Sequence, residues 1–147
     1  MVQDAYRIAR SILDKLTDLP PLLFRLILAY GFYGPAMKKV ENFDSIVSWF
    51  GQMGIPFPTI NAYMATATEI SGVILLTLGL ATRIISVPLM FVMVVAIATV
   101  HGKNGFAAGD NGFEIPLYYM LMLFSLVVTG AGRLSADHLI KRKVIDG

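Results

Sequence analysis

Residues 84–100 read IISVPLMFVMVVAIATV and contain no charged side chain. As an α-helix this stretch would be roughly 26 Å long, close to the hydrocarbon thickness of a bilayer, which is about 30 Å. A helix inside a soluble bundle normally keeps a polar stripe that faces water. Because this stretch has no such stripe, it predicts a membrane-spanning helix.

Three further stretches are similar in length and apolar content. They are residues 21–37 (PLLFRLILAYGFYGPAM), 61–80 (NAYMATATEISGVILLTLGL) and 115–131 (IPLYYMLMLFSLVVTGA). The whole chain of 147 residues is 56% hydrophobic and only 15% charged, whereas a soluble domain is usually about 25% charged. The sequence therefore predicts an all-α fold in which residues 1–147 form one membrane domain, a four-transmembrane-helix bundle.

Three other segments are predicted to form amphipathic helices that lie along the membrane surfaces. In the N-terminal segment, residues 1–20, the apolar positions with helical spacing are Ile8, Ile12, Leu13, Leu16 and Leu19. In the first connection, residues 38–60, they are Phe43, Ile46, Val47 and Phe50. The third segment begins near a cap at Ser135 or Asp137 and ends in Lys-Arg-Lys.

The distribution of Lys and Arg predicts the orientation, because cytoplasmic loops of membrane proteins are rich in these residues. With four spans, both termini lie on one side of the membrane. That side carries eight Lys and Arg residues, and the opposite side carries three, Lys38, Lys39 and Lys103. The sequence therefore predicts a multi-pass protein with both termini in the cytoplasm and the amphipathic helix of the first connection in the periplasm.

Several classes of chemistry are excluded by composition. The chain has no cysteine, which removes thiol catalysis, thiolate metal sites, Fe–S clusters and covalent c-type haem. Its two histidines, His101 and His138, are predicted on opposite sides of the membrane and therefore do not ligate one haem together. The net charge is only +2, and no basic patch is interleaved with aromatic residues, which argues against nucleic-acid binding.

Arg25 and Glu69 are ionisable residues inside predicted spans, where a charge is costly and usually has a partner or a function. The helix rise places Glu69 about equally far along the axis from Arg25 and from Lys38. Because helical side chains tilt toward their own N-terminus, Lys38 leans toward Glu69 and Arg25 leans toward the cytoplasm. We therefore predict that Lys38 pairs with Glu69, that Tyr33 donates a hydrogen bond at a similar depth, and that Arg25 reaches the cytoplasmic interface.

Two interpretations of these intramembrane groups stay open. Glu69 is either a protonated carboxyl that ties two helices together or part of a site that binds a ligand or a proton. Arg25 is either structural or a further member of that site.

The third connection is rich in glycine and polar side chains, and it emerges on the same side as Lys38. Its candidate site residues are His101, Asp110, Asn111 and Glu114. They form either an outward-facing site together with Glu69 and Lys38 or a turn in which Asn111 caps the fourth span.

Methionine supplies the remaining donors that a metal could use. Met90 and Met93 lie three residues apart, and His101 would add an imidazole to a Cu(I) site. Methionines in apolar helices more often fill gaps in the packing, and no metal site is assigned on this ground.

Several short motifs, taken in order and with their spacing, resemble the DoxX family over about residues 20–140. They are Gly-Phe-Tyr-Gly-Pro-Ala-Met-Lys at 31–38, Gly-Ile-Pro at 54–56, Glu-Ile-Ser-Gly-Val-Ile-Leu-Leu-Thr-Leu-Gly-Leu-Ala-Thr-Arg at 69–83, and Gly-Ala-Gly-Arg-Leu-Ser-Ala-Asp at 130–137. Residues 101–119, HGKNGFAAGDNGFEIPLYY, are similar to the HvfX branch, which is associated with operons for maturation of a copper-binding modified peptide. The resemblance implies a four-helix protein of the bacterial inner membrane, with the family's glutamate at Glu69 and its lysine after the first span at Lys38.

The resemblance also implies what kind of role to expect. Relatives include a small subunit of thiosulfate:quinone oxidoreductase and a membrane member of an oxidative-stress complex. We expect an accessory subunit, more a non-catalytic protein than an enzyme, that assists a copper-peptide or redox and stress-response system with a protein partner or as a homo-oligomer. The alternatives are a quinone-linked oxidoreductase subunit, in which Glu69 or His101 moves protons, and an oligomeric transporter of small molecules or ions. The cofactors that these hypotheses imply are quinone or copper.

Overall fold

The computed structural model describes residues 2–145, so residues 1, 146 and 147 of the predicted single domain lie outside the described part of the chain. All regular structure in residues 2–145 is helical, which confirms the all-α prediction. The helices are α1 (Val2–Lys15), α2 (Leu19–Glu41), α3 (Phe43–Gln52), α4 (Pro58–Leu78), α5 (Thr82–Ala96), α6 (Glu114–Thr129) and α7 (Ala136–Ile145).

Helix α5 changes its winding before the chain turns. It continues through a π-helical turn, Ile97–His101, and a 3₁₀ turn, Gly102–Asn104. A second 3₁₀ turn, Ala108–Asp110, follows in the connection to α6. The wider π turn shifts the residues at the end of the helix relative to a regular α-helix.

Four long helices, α2, α4, α5 and α6, coincide with the four predicted apolar stretches and pack around one apolar core. The fully buried core side chains include Leu28, Phe32, Leu76, Leu89, Leu123 and Leu126. Their outward faces are also apolar, with exposed side chains such as Ile74, Ile84, Phe91, Phe124 and Val128. These helices therefore have apolar side chains both inside the core and on the outer surface.

By length and composition, one continuous helical segment of the described chain, Thr82–Asn104, suffices to cross a membrane. Helix α6 is apolar but shorter. Helices α2 and α4 are long, but they include the charged residues Arg25, Lys38, Lys39 and Glu69. Length and composition therefore support the predicted span at α5. The spans at α2, α4 and α6 stay predictions.

The two ends of this core differ. We call the end that holds the α4–α5 turn and residues 130–137 the turn end, and the end that holds α3 and residues 102–113 the α3 end. At the turn end, Gly79 caps the C-terminus of α4 and has φ +66°. Arg25 and Ser135 fill the space that a Cβ at Gly79 would need, so glycine is required there both by conformation and by contact.

The C-terminal segment holds the α4–α5 turn closed. The Asp137 carboxylate accepts hydrogen bonds from the N–H groups of Ala81 (2.7 Å) and Thr82 (3.0 Å). Ala81 is the N-cap of α5, and Thr82 is its first residue. The Asp137 N–H donates to the Gly79 carbonyl at 2.9 Å. Of the two predicted caps of α7, Ser135 takes that role by accepting the His138 N–H (3.2 Å), whereas Asp137 caps α5 instead.

At the α3 end, α3 folds back over the start of α4. The rings of Phe43 and Tyr63 lie 4.3 Å apart. The connection between α5 and α6 is closed by two backbone hydrogen bonds, each 3.0 Å long. The Phe113 N–H donates to the Gly105 carbonyl, and the Glu114 N–H donates to the Phe106 carbonyl. Helix α3 and this connection together cover the α3 end of the core.

Candidate functional site

The candidate site is built around Glu69 on the inward face of α4. That face runs through Ala62, Thr66, Glu69, Gly72 and Leu76, which are all buried. Glu69 is 3% exposed, and its two carboxylate oxygens accept hydrogen bonds from Lys39 Nζ at 3.0 and 2.9 Å. This ion pair joins α2 to α4 and neutralises both charges inside the protein.

The predicted pairing of Lys38 with Glu69 is wrong by one residue. The buried face of α2 runs through Arg25, Ala29, Phe32 and Ala36. Continued at helical spacing, this face reaches Lys39, whereas Lys38 is rotated away and exposed. Lys38 and Lys39 lie at similar depths, and the direction around the helix axis decides which lysine contacts the carboxylate.

Tyr33 does not serve as the predicted hydrogen-bond donor, because it lies on the outer face of α2 and is 55% exposed. The tyrosine near the site is Tyr119 on α6. Its ring lies 5.6 Å from that of Phe32, and its hydroxyl end fills the space that a Cβ at Gly31 would need. Nothing in the sequence distinguishes Tyr119 from its neighbour Tyr118 except helical phase.

A cavity of about 490 Å³ lies beside the ion pair, toward the α3 end. Its wall includes Lys39 and Glu69 and is otherwise mostly apolar. Trp49 and Phe50 of α3 line it on one side, and Phe32 lies deeper in the core. The buried charges are therefore next to open space large enough for a small ligand.

The candidates of the third connection divide into two groups. His101 and Asn111 line the cavity, and His101 Nδ1 donates to the Asn111 carbonyl at 2.9 Å. Because a carbonyl only accepts, Nδ1 carries the proton of this hydrogen bond. Asp110 and Glu114 are not on the cavity wall. The predicted site of these four residues with Glu69 is thus only partly assembled.

Glu114 stabilises the connection rather than the cavity. Its carboxylate accepts the Ala108 N–H at 2.9 Å and the Tyr118 hydroxyl at 3.1 Å. Asn111 has φ +57°, as expected for an Asn-Gly turn, but the prediction that it caps α6 is wrong. The cap position is taken by Phe113, and no side chain accepts a hydrogen bond there.

The proposed combination of Met90, Met93 and His101 is not assembled. Met93 and His101 line the cavity, whereas Met90 packs against the apolar core. Met53 and Met64 line the cavity as well, and thioether and imidazole are donor types that bind Cu(I). Within residues 2–145 no group of three or more His, Cys, Asp or Glu residues has metal-site geometry.

The prediction that the Arg25 side chain extends to an interface is wrong, because the side chain is buried by protein. It is 1% exposed, and its guanidinium donates to the carbonyls of Leu76 (3.2 Å) and Leu134 (2.5 Å) at the turn end. Carbonyls at a helix C-terminus lack intrahelical partners and carry partial negative charge, so they satisfy a cation well. Residues 130–137 cover Arg25, which is separate from the cavity.

The described residues combine a buried ion pair, apolar outer helix faces and one helix long and apolar enough to cross a bilayer. These features are typical of a helical membrane protein with an internal polar site. The DoxX family model matches residues 21–102. An uncharacterized protein of Haemophilus influenzae is 33% identical over 129 residues, which cover 82% of this chain and 83% of that protein. The chain belongs to the DoxX family.

Two other relatives have descriptive names. The Bacillus subtilis protein named "Putative oxidoreductase CatD" is 32% identical over 127 residues, covering 85% of this chain and 90% of the relative. "Inner membrane protein YphA" of Escherichia coli is 28% identical over 134 residues, covering 88% of this chain and 91% of the relative. No solved structure matches the chain. The Lys39–Glu69 pair lies within the matched family region, and Asn111 lies beyond it.

Proposed function

We propose that this DoxX protein is a multi-pass protein of the bacterial inner membrane, with α2, α4, α5 and α6 as four spans and both termini in the cytoplasm. The apolar outer faces of these helices support this topology because such faces suit contact with lipid chains. The excess of Lys and Arg near the termini supports the orientation. The name of the Escherichia coli relative supports the compartment.

We further propose that it is an accessory subunit whose functional site is the cavity beside Lys39 and Glu69. The observation that carries this proposal is a buried ion pair on the wall of a cavity of about 490 Å³. A buried ion pair adds little net stability compared with apolar packing of the same volume. The pair is therefore better explained as a site that binds a ligand or a proton than as a tie between helices.

The system that the protein assists is proposed from the similarity of residues 101–119 to the HvfX branch. We propose a role in copper-peptide maturation or a related redox and stress response. His101 and the methionines on the cavity wall support this role, because imidazole and thioether groups are donor types that bind copper. The peptide or its maturation enzyme would be the protein partner.

A second candidate is a quinone-linked oxidoreductase subunit, and it is favoured by the name of the Bacillus subtilis relative. In that role Glu69 or His101 would transfer protons while a partner carries electrons, because the chain has no cysteine and its histidines are far apart in sequence. Membranes that lack the protein and keep full donor-to-quinone activity would exclude this candidate.

The accessory role is tested by affinity purification from native membranes in mild detergent. We expect the wild-type chain to retrieve a protein partner, and a chain that is always recovered alone would contradict the proposal. Lys39→Met and Glu69→Gln should each abolish the proposed function of the complex in cells, which is copper-peptide maturation or the related redox and stress response. The matched control is Lys38→Met, which removes the neighbouring exposed lysine and should leave that function unchanged.

A further inference from the structure

The cavity has polar and apolar parts at different depths. The polar lining residues near the α3 end are Lys39, Asn61, His101 and Asn111. The deeper lining residues are apolar and include Phe32, Val92 and Met93. A ligand that fills this cavity therefore needs a polar head at the α3 end and an apolar body below it.

The charges on the wall disfavour a ligand whose ionic group pairs with Lys39 or Glu69. Among Lys, Arg, Asp and Glu residues of the described chain, only Lys39 and Glu69 line the cavity, and they neutralise each other. An anion bound to Lys39 would leave Glu69 buried without a cation, and a cation bound to Glu69 would leave Lys39 in the same position. Both arrangements are costly in a poorly hydrated site.

A neutral hydrogen-bond acceptor avoids that cost. Lys39 Nζ has three donors, of which two serve the Glu69 carboxylate and the third has only a long contact of 3.5 Å to the Pro35 carbonyl. A ligand carbonyl that replaces this long contact gains a charge-assisted hydrogen bond without breaking the ion pair.

The cavity reaches the outer surface of the helices between α4 and α5. Met64 on α4 and Phe91 on α5 line it and are 61% and 67% exposed. These two helices pack less extensively with each other than α5 packs with α6. Because the surrounding surface is apolar, this opening faces the hydrocarbon of the bilayer in the proposed topology.

We propose that the cavity binds a neutral, lipid-soluble molecule with a carbonyl head and an apolar body, which enters from the bilayer between α4 and α5. This inference rests on the proposed ligand site at Lys39 and Glu69 and names the class of ligand. The carbonyl belongs either to a ring, as in a quinone, or to an ester, as in a lipid.

Trp49 is a built-in reporter, because it is the only tryptophan of the chain and lines the cavity. The full-length protein is reconstituted in phosphatidylcholine nanodiscs and titrated with matched long-chain amphiphiles that carry bromine on the chain. Their heads are a methyl ester, a sulfonate or a trimethylammonium group. We expect the ester to quench Trp49 saturably and at about tenfold lower concentration than either charged probe, since neither charged head keeps the ion pair intact.

Gly31→Ala and Gly34→Ala form a matched pair of variants on α2. A Cβ at position 31 displaces Tyr119, which also lines the cavity, whereas a Cβ at position 34 meets nothing within 4 Å. Gly31→Ala should therefore weaken saturable quenching by about tenfold, as expected when an apolar site loses volume, and Gly34→Ala should not. Equal, unsaturable quenching in both variants and the wild type would overturn the proposal.

A second pair on α4 covers the case in which Gly31→Ala does not fold. Ala65 lines the cavity, whereas Ala67 is exposed and lies off the wall. Ala65→Phe should block saturable quenching, and Ala67→Phe should not. Binding that survives Ala65→Phe, or a preference for a charged head, would overturn the proposal.

Unbrominated probes distinguish the two sources of the carbonyl. A short-tailed benzoquinone quenches tryptophan itself, so saturable quenching of Trp49 by it that Ala65→Phe abolishes supports a ring carbonyl. Recovery of Trp49 fluorescence from the brominated ester by a monoacylglycerol supports an ester. Failure of both overturns the inference. If a protein partner is still retrieved in that case, the accessory role stands without this ligand class.

Discussion

The two ends of the helical core hold their buried charges in different ways. At the turn end, the Arg25 guanidinium is fixed by backbone carbonyls of α4 and of the C-terminal segment. At the α3 end, Glu69 is held by a side chain, Lys39, beside a cavity. A cation held by backbone changes partners only if the helix ends move, whereas a lysine on a flexible stem can turn toward a ligand.

Arg25 and Glu69 therefore have different roles, although both are ionisable residues inside predicted spans. Arg25 locks the C-terminal segment onto α4, because its donors join positions far apart in the chain. The Lys39–Glu69 pair also joins two helices, but it keeps one side open to the cavity. We therefore expect changes at the turn end to affect stability and changes at the α3 end to affect binding.

The proposed topology places the two ends on opposite sides of the membrane, and the test of this placement has an all-or-none result. The chain has no cysteine, so single cysteines can be placed at exposed positions of each end, as Lys103→Cys and Lys143→Cys. A membrane-impermeant maleimide should label only Lys103→Cys in intact cells. Lys143→Cys should react only after permeabilisation, and the opposite pattern would contradict the proposed topology.

The next largest effect is expected at Arg25. Arg25→Met leaves the carbonyls of Leu76 and Leu134 without a buried donor, which should lower the free energy of unfolding by about 3 kcal/mol. Arg133→Met is the matched control, because the Arg133 side chain is 77% exposed and its contact with Asp18 is 3.8 Å long. Thermal unfolding in detergent measures both, and equal losses would show that Arg25 is not the lock.

The positions of the helices could be predicted from sequence because each apolar stretch specifies its helix locally. Lys39 was missed because successive residues differ by about 100° around the helix axis, so a depth estimate alone does not choose between neighbours. The buried face of α2, ending Phe32, Ala36, Lys39, was the signal that could have identified it.

The environment of Arg25 could not be predicted by such local patterns. Its acceptor at Leu134 lies in a segment that returns from the other end of the chain and covers it. The same return places Asp137 at the start of α5 rather than at α7. Apolar periodicity specifies which residues are buried, but not which distant backbone groups meet them.

An intermediate effect is expected from a double-mutant cycle at the α3 end. Lys39→Met leaves the buried carboxylate without its hydrogen-bond donor and should cost about 2 kcal/mol of unfolding free energy, as should Glu69→Gln, which leaves Lys39 without its anion. The double variant should recover most of that loss, because two neutral groups remain. Additive losses in thermal unfolding would show that the pair is not coupled, and Lys38→Met serves as the control.

The smallest effect is expected at the cap that closes the turn end. Asp137→Ala removes the acceptor of the Ala81 and Thr82 N–H groups and should cost about 1 kcal/mol, the usual value for a helix N-cap. Asp110→Ala removes an exposed carboxylate from the connection at the α3 end, where it caps no described α-helix, and should change stability less. Because Asp137 and Arg25 act on the same turn, Asp137→Ala should cost less in an Arg25→Met background than in the wild type. Full additivity in thermal unfolding would mean that the C-terminal segment and Arg25 stabilise the turn independently, which would remove the idea of a single lock at that end.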